Sequence, residues 1–151
     1  MNIVLHQPEI PHNTGAIGRT CLQTGAALHL IHPLGFYLDE KSRRRAGLDY
    51  WHRLQVHEYA NFADFEARNP RARCFLVETA GSVPYTRPTY QPGDYFIFGS
   101  ETCGLPPALL GAFPNQIIRI PMQGDARSLN LSVSVGIVLY EALRQTGFCD
   151  T

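Results

Sequence analysis

Ile118-Arg119-Ile120-Pro121-Met122 reads as a short apolar strand that ends at a proline, and a polar loop follows it. The chain continues as Ser128-Leu129-Asn130-Leu131-Ser132 and runs on to Gln145 with apolar residues on more than one side. A serine can cap this long helix at its start. The helix is too short to span a membrane, so its apolar surface has to be buried on several sides. One core of a chain of 151 residues can cover part of that surface, and a second subunit can cover the rest.

Composition indicates a globular protein. Hydrophobic residues make up 44% of the chain and charged residues 17%, and the length suits one domain over residues 1–151. The net charge is zero, so any binding of nucleic acid requires a local basic patch rather than the charge of the whole chain. The first residues lack a basic start followed by a long apolar run, so we expect no signal peptide, and no segment is long enough for a membrane span.

Cysteine and histidine spacing predicts neither a metal site nor a redox pair. The four cysteines are far apart, at positions 21, 74, 103 and 149, which is typical of reduced thiols in a cytoplasmic protein. The six histidines show no H-x-x-x-H or H-E-x-x-H pattern. We therefore expect a metal-free cytoplasmic protein.

Short apolar runs alternate with helical stretches, which predicts an α/β fold with a mainly parallel sheet flanked by helices. The predicted strands cover residues 3–5, 28–31, 54–59, 74–77, 95–98 and 117–120. Asn13-Thr14 should cap a first helix that ends at Gly25, and a charged, exposed helix should span 39–46. Asn61 should cap a helix with Phe62 and Phe65 on one face, and Pro106-Pro107 should open a short one.

The glycine-containing stretch Gly99-Ser100-Glu101-Thr102-Cys103-Gly104-Leu105-Pro106 follows a buried strand. It is either a tight strand-to-helix turn or a loop whose backbone approaches a ligand closely. Leu105-Pro106 stands where a phosphate loop carries Lys-Ser or Lys-Thr, which excludes a nucleoside triphosphatase. No G-x-G-x-x-G follows a strand, which argues against a dinucleotide-binding oxidoreductase.

Two sets of arginines are expected to lie on the outer surface of the protein. Arg19 is about 200° around the first helix from Ile17 and should face solvent, either merely hydrated or functional. Arg43-Arg44-Arg45 either forms a hydrated helix face with local ion pairs or binds an RNA backbone.

Three blocks in fixed order carry a family resemblance. They are Pro8-Glu9-Ile10-Pro11-His12-Asn13-Thr14-Gly15 followed by Arg19; Phe98 to Pro106; and Ile118 to Met122 followed by Arg127-Ser128-Leu129-Asn130-Leu131-Ser132 and Tyr140-Glu141-Ala142. Arg44-Arg45-Ala46-Gly47-Leu48-Asp49-Tyr50 matches as well. Across nearly its whole length the chain resembles the YibK-like group of the SPOUT superfamily of RNA 2′-O-methyltransferases.

The resemblance implies an α/β domain whose C-terminal part is tied in a trefoil knot that holds S-adenosylmethionine (AdoMet) in a bent shape. By position it assigns cofactor contacts, largely through the backbone, to Val77, Gly99, Ile120, Met122, Ser128 and Leu129. It assigns the polar active site to Asn13, Arg19, Glu101, Ser128 and Asn130, with no metal.

The chemistry implied is transfer of the AdoMet methyl group to a ribose hydroxyl, which leaves S-adenosylhomocysteine (AdoHcy). Alignment and deprotonation of the hydroxyl are then the main tasks. Arg19 either acts as general base or binds a phosphate and orients the hydroxyl. A guanidinium stays protonated at neutral pH, which counts against the first role, and the sequence does not decide between the two. Cys103 departs from the arginine that is common at its position, which removes one basic contact to RNA. We do not expect Cys103 to be a nucleophile, since ribose methylation needs none.

The substrate implied is the ribose of wobble nucleotide 34, cytidine or uridine, in a tRNA anticodon stem-loop bound by a homodimer, with Arg43, Arg44 and Arg45 as the RNA patch. No role in binding DNA or a membrane is expected. Two alternatives stay open: a SPOUT methyltransferase for another tRNA or rRNA site, and an RNA-binding relative without catalysis. Retention of Arg19, Ser128 and Asn130 argues against the second alternative.

Overall fold

The computed structural model describes residues 1–45, 47–124 and 127–148, and seven strands within them form one sheet. Its order is β3-β2-β1-β6-β4-β7-β5, and every ladder between strands is parallel. The strands are β1 (Asn2–His6), β2 (Ala27–Ile31), β3 (Val56–Tyr59), β4 (Cys74–Val77), β5 (Val83–Pro84), β6 (Tyr95–Phe98) and β7 (Ile117–Arg119). The helices are α1 (Pro11–Thr24), α2 (Glu40–Arg45), α3 (Phe62–Arg68), α4 (Pro107–Ala112) and α5 (Leu131–Thr146).

The prediction of an α/β fold with a mainly parallel sheet is confirmed. Strand β1 lies between β2 and β6, and Ile3, Val4 and Leu5 are fully buried. Continuous apolar runs are typical of parallel strands because helices cover both faces of the sheet. The trefoil knot and the single-domain extent of residues 1–151 stay predictions.

Two hydrophobic clusters sandwich the sheet. On one face, α1 and α5 pack against each other and against Ile3, Leu5 and Phe96. On the other face, Phe65 of α3 and Leu109 of α4 pack with Val4 and Ile97, which alternate along their strands with the residues of the first face. The period of two along each strand therefore decides which layer a side chain joins.

The start of α1 differs from the prediction. The helix begins at Pro11 after Ile10, with no side-chain cap, so Asn13 and Thr14 lie inside its first turn and are buried. Proline is favoured at the first position of a helix because its missing N–H would have no partner there. The predicted end is confirmed: Gly25 terminates α1 in a left-handed conformation, with φ of 69°.

Several other boundaries are corrected. Asn130, and not a serine, caps α5. Strand β3 begins at Val56 because a 3-10 turn over Trp51–Arg53 precedes it, and the last strand ends at Arg119. A short strand, β5, occurs where a loop was expected. The exposed helix is confirmed over Glu40–Arg45, while its predicted last residue, Ala46, lies outside the described residues.

Helix α5 is covered by its own chain more completely than the sequence suggested. We expected Leu131, Val135, Val138, Leu139 and Tyr140 to spread apolar surface around the helix, with only one side covered by the same chain. The first four are all buried against the sheet and α1. Tyr140 remains 49% exposed, as does Val133. The apolar surface left for a partner is therefore narrower than predicted. Among the described residues, no helix combines the length and apolar character needed to cross a membrane.

Candidate active site

A cavity of about 290 Å³ lies where the carboxyl ends of β4 and β6 meet the start of α5. Strand ends in an open parallel sheet are the usual place for a ligand site. Strand β4 contributes Val77, β6 is followed by Gly99, and the chain beyond β7 contributes Ile120. Ser128 and Asn130 reach the cavity from the segment that leads into α5.

The cavity gathers most of the residues singled out from the sequence. All six predicted cofactor-binding residues line it: Val77, Gly99, Ile120, Met122, Ser128 and Leu129. Asn13, Glu101 and Asn130 line it too, and Ser128 serves in both predicted sets. Arg19, Arg43, Arg44 and Arg45 do not line it. The individual binding and catalytic roles stay predictions.

Glu101 fastens the beginning of α1 to the loop after β6. Its Oε2 accepts a hydrogen bond from the Glu9 N–H at 2.8 Å. Its Oε1 accepts from the Ile10 N–H and from Asn13 Nδ2, each at 3.1 Å. Three N–H groups of its own chain occupy this carboxylate, which therefore holds Asn13 and the residues before α1 beside the loop.

Asn13 and Asn130 form the next link of the same network. Asn130 Nδ2 donates to Asn13 Oδ1 at 3.0 Å. The Oδ1 atom of Asn130 accepts from the N–H groups of Ser132 and Val133 at 2.9 and 3.3 Å, which caps α5. Each amide thus has its oxygen and nitrogen assigned by partners on both sides. The network joins the first, second and third sequence blocks at one edge of the cavity.

The loop after β6 is both a tight turn and a wall of the cavity, so the two interpretations of its glycines are compatible. The Gly104 N–H donates to Ser100 O at 3.0 Å, which closes the turn. A Cβ atom on Gly99 would lie 2.1 Å from the Gly104 carbonyl carbon, a distance that no side chain tolerates. Glycine is therefore required at position 99 by the close backbone approach.

The sequence interpretation missed Glu78, which lines the cavity directly after β4. Its Oε1 accepts from the Thr79 N–H at 2.8 Å, and its Oε2 accepts from the Leu105 N–H at 3.1 Å. The sequence feature that could have identified Glu78 is its position one residue beyond a buried strand, at the edge of the sheet where ligands bind. Thr79, Ser100 and Ser134 also line the cavity and were not predicted.

The charges around the cavity all have one sign. Among the described residues that line it, Glu78 and Glu101 are acidic, and none is lysine, arginine or histidine. Apolar side chains including Val77, Phe98 and Ile120 make up much of the remaining wall. Such a cavity suits a ligand with an apolar body and positive charge, and disfavours a phosphate.

Arg19 lies on the outer surface of α1, as predicted, but away from the cavity of its own chain. Its guanidinium carbon is 5.2 Å from the centre of the Tyr50 ring, a cation–π contact. Burial raises the pKa of the Tyr50 hydroxyl, and the charge of Arg19 opposes part of that rise. Within one protomer, Arg19 therefore lies beside Tyr50 and does not line the cavity.

The segment that follows α2 packs against α1. The turn after α2 places Leu48 against Gly15, where an added Cβ would lie 2.8 Å from a leucine methyl, and Tyr50 donates to Gly15 O. Arg44 and Arg45 are exposed, and Arg44 pairs with Glu40 one turn earlier. The Asp39 carboxylate accepts a hydrogen bond from the Ser42 N–H at 2.8 Å, which lowers the pKa of Asp39.

No three histidine, cysteine, aspartate or glutamate side chains come together as potential metal ligands within the described part of the chain. Absence of a metal stays a prediction. Burial raises the pKa of the Cys21 and Cys74 thiols to about 12, which makes both unreactive. Cys103 is exposed beside Thr102, and Cys149 lies outside the described residues.

The family model described as the SpoU rRNA Methylase family matches residues 1–140. The chain belongs to this family. A SpoU-family relative in Escherichia coli (strain K12), named tRNA (cytidine(34)-2′-O)-methyltransferase, is 51% identical over 150 residues, which cover 98% of this chain and 95% of the relative.

Solved structures extend the comparison. One, presented as structural insights into the 2-OH methylation of C/U34 on tRNA, is 45% identical with a TM-score of 0.89, covering 95% of this chain and 94% of that one. Another is an AdoMet-bound rRNA methyltransferase from Sinorhizobium meliloti, 29% identical with a TM-score of 0.82, covering 95% of this chain and 55% of that one. The SPOUT resemblance and fold drawn from the sequence are confirmed for this SpoU-family chain.

Proposed function

We propose that this protein is an AdoMet-dependent tRNA methyltransferase that methylates the ribose 2′-hydroxyl of cytidine or uridine at wobble position 34. The observation that carries the proposal is the meeting of Val77, Gly99, Ile120 and Ser128 around one cavity, although they lie far apart in sequence. The names of the relatives with about half of their residues identical support the choice of tRNA and of nucleotide 34.

The residues around the cavity fit AdoMet. Val77, Phe98 and Ile120 provide apolar surface for an adenosine, and the carboxylate of Glu78 suits the positive charge that AdoMet carries on sulfur. A phosphate-bearing cofactor would meet two carboxylates and no basic side chain among the described lining residues. When bound, AdoMet supplies a methyl group that is already activated by the sulfonium charge.

The residues of this chain then align the ribose hydroxyl. Asn13 and Asn130 present a polar edge held rigid by Glu101 and by the start of α5. Ser128 is exposed at the cavity and can hydrogen-bond a ribose or phosphate oxygen. Rigid placement of this kind lowers the entropy cost of bringing the hydroxyl into line with the methyl group.

Arg19 either accepts the proton of the ribose hydroxyl or binds the neighbouring phosphate. A guanidinium forms a planar, bidentate contact with phosphate, and its positive charge favours the ionised form of a nearby hydroxyl. Because Arg19 does not line the cavity of its own chain, action across a subunit boundary is favoured. One subunit would hold RNA while its partner presents the cofactor.

We propose that the working form is a homodimer joined through α5. Val133 and Tyr140 are each 49% exposed on this helix, and the Phe148 ring lies 6.0 Å from the Tyr140 ring. Exposed apolar side chains two turns apart, such as Val133 and Tyr140, are typical of a helix that packs against a partner. The partner surface and the tRNA anticodon stem-loop would meet near the basic side of α1, with Arg43, Arg44 and Arg45 contacting RNA.

We further propose a cytoplasmic location, where its free cysteines stay reduced.

The test is methyl transfer from tritiated AdoMet with purified protein. Substrates are tRNA from cells that lack the gene, the same tRNA with a 2′-deoxyribose at nucleotide 34, the isolated anticodon stem-loop, and ribosomal RNA. We expect label in the first tRNA and none in the 2′-deoxy tRNA, which differs by one oxygen atom. Label in ribosomal RNA alone would assign the other SPOUT reaction, and no label in any RNA would support the binding protein without catalysis.

A further inference from the structure

Glu78 is a charged cavity residue with a fixed position. It follows Val77 at the end of β4, and its two carboxylate oxygens accept N–H groups from Thr79 and Leu105. Gly104 adopts φ of 67°, and a Cβ atom there would lie 2.8 Å from Glu78 Oε2. The carboxylate is therefore packed between β4 and the loop after β6, where it cannot swing away from the cavity.

The charge of Glu78 has no basic partner. Glu78 takes part in none of the ion pairs formed among the described residues, and the described cavity lining contains no basic side chain. Its contacts besides two backbone N–H groups come from the Thr79 hydroxyl at 3.2 Å, which can rotate away. Glu101 differs, because three N–H groups from Glu9, Ile10 and Asn13 hold it. Glu78 is thus the acidic group with the greater capacity to act on a ligand.

AdoMet and AdoHcy differ only by one methyl group and the positive charge on sulfur. Any interaction with the adenine, the ribose or the amino-acid end contributes equally to both. A carboxylate in a partly desolvated cavity attracts the sulfonium more strongly than it attracts a neutral thioether.

We infer that Glu78 makes the cavity selective for the cationic cofactor over its neutral product. The inference rests on the proposed function, because it takes AdoMet as the ligand. Loss of the positive charge on methyl transfer then weakens binding, so that the product leaves and the next AdoMet enters. The role is one of binding selectivity, and Glu78 takes no part in moving the methyl group.

The test is isothermal titration calorimetry of the full-length protein with AdoMet and with AdoHcy, at low and at high ionic strength. The readout is the ratio of the two dissociation constants. Glu78→Gln should shift this ratio about three- to tenfold toward AdoHcy, where tenfold corresponds to about 1.4 kcal/mol. The shift should be smaller at high salt, because ions screen the interaction.

Two further variants separate charge from structure. Glu78→Asp keeps the charge while disturbing the contacts to Thr79 and Leu105, so both affinities can fall while their ratio stays within about twofold of wild type. Glu66→Gln removes an exposed carboxylate from α3 on the opposite face of the sheet, and should leave the ratio unchanged.

An equal loss of affinity for both ligands in Glu78→Gln would overturn the inference and leave Glu78 as a residue that only fastens the loop. Failure of the wild-type protein to bind either ligand would overturn the proposed cofactor, and the inference with it. The two failures are distinguished by the wild-type titration alone.

Discussion

Asn130 Nδ2 donates a hydrogen bond to Asn13 Oδ1 at 3.0 Å across 117 positions of sequence. The contact joins the first turn of α1 to the residue that caps α5, and both side chains line the cavity. A change at either asparagine therefore affects the position of a helix and the shape of the proposed ribose site together.

Asn130→Ala should lower stability and abolish methyl transfer. Loss of the cap on the N–H groups of Ser132 and Val133 costs about 1 kcal/mol. Asn130→Asp should retain the cap but lose the donor to Asn13, so we expect stability near wild type with strongly reduced transfer. Urea denaturation and the tritium assay measure the two effects. Asn61→Ala is the matched control, because Asn61 caps α3 through the Asp64 N–H far from the cavity. It should lose a similar amount of stability and keep its activity, and normal transfer by Asn130→Asp would contradict the assigned role.

Arg19→Ala should abolish methyl transfer with little change in stability or AdoMet binding. The side chain is exposed, and its cation–π contact with Tyr50 contributes about 0.5–1 kcal/mol. Arg19→Lys keeps the charge but loses the planar fork, so substantial activity in this variant would favour simple charge stabilisation. Arg71→Ala removes another exposed arginine and should behave as wild type. Near-normal turnover of Arg19→Ala on tRNA would refute a catalytic role.

The triple substitution of Arg43, Arg44 and Arg45 by glutamine should weaken tRNA binding and leave AdoMet affinity unchanged. Each lost phosphate contact reduces the slope of log K against log salt by about 0.7 for single-stranded RNA, so three contacts reduce it by about 2. A variant with glutamine at Arg53, Arg71 and Arg87 has the same net charge and serves as the control. Normal methylation of tRNA by the α2 variant at physiological salt would mean that these arginines form only a hydrated helix face.

Light scattering at micromolar concentration should give a mass near twice the 16.9 kDa of one chain. Replacing Val133 and Tyr140 together by aspartate should shift the mass toward one chain, because buried charges would oppose helix packing. Tyr37→Asp, at a side chain that is 82% exposed away from α5, should leave the mass unchanged. A monomeric mass for the wild-type protein would count decisively against the homodimer.

Acid should destabilise the protein through His29. The ring is buried, its Nδ1 pairs with the Tyr59 hydroxyl at 2.8 Å and its Nε2 with Asn2 Oδ1 at 3.1 Å. Burial, together with the nearby charges of His57 and Arg68, lowers the pKa of His29 to about 3. A lowered pKa in the folded state means that the stabilisation is present above the unfolded value of 6.5 and is lost as the pH falls from there toward 3.

We expect the free energy of unfolding to fall by up to about 1.4 kcal/mol per pH unit in this range from His29 alone. Urea denaturation of His29→Gln between pH 7 and 4 should show a shallower slope by that amount, even though the variant is less stable overall. His12→Gln, at an exposed position, should keep the wild-type slope. Equal slopes for wild type and His29→Gln would show that His29 does not govern the acid sensitivity.

Many of the elements could be predicted from local sequence. Buried parallel strands appear as continuous apolar runs, which located the strand at Tyr95–Phe98 without error. Gly25 ends α1 and Asn61 caps α3 because each acts on the backbone within a few residues. The cavity residues were predicted from the family motifs, because this chain retains the spacing of residues within each block.

Long-range contacts account for what sequence reasoning missed. We predicted that Asn13 caps a helix. Its side chain instead lies in the first turn of α1 and donates a hydrogen bond to Glu101, 88 positions away. Leu131 and Val135 were predicted to belong to an apolar surface that one domain covers only on one side, yet α1 and the sheet of the same chain bury both. A local sequence pattern shows whether a segment forms a helix or a strand, but it does not show which other element that segment packs against.

The sequence by itself determined the class of fold, the positions of most strands and the blocks that form the cavity, because these depend on residues within a turn or two of each other. The tertiary structure alone decided that Arg19 lies outside the cavity of its own chain and that Glu78 lies within it. The physical reason is the strand order: β4 lies between β6 and β7, so the ends of strands that are distant in sequence meet at one edge. No residue near Glu78 in the chain indicates that the loop around Gly104 will pack against its carboxylate.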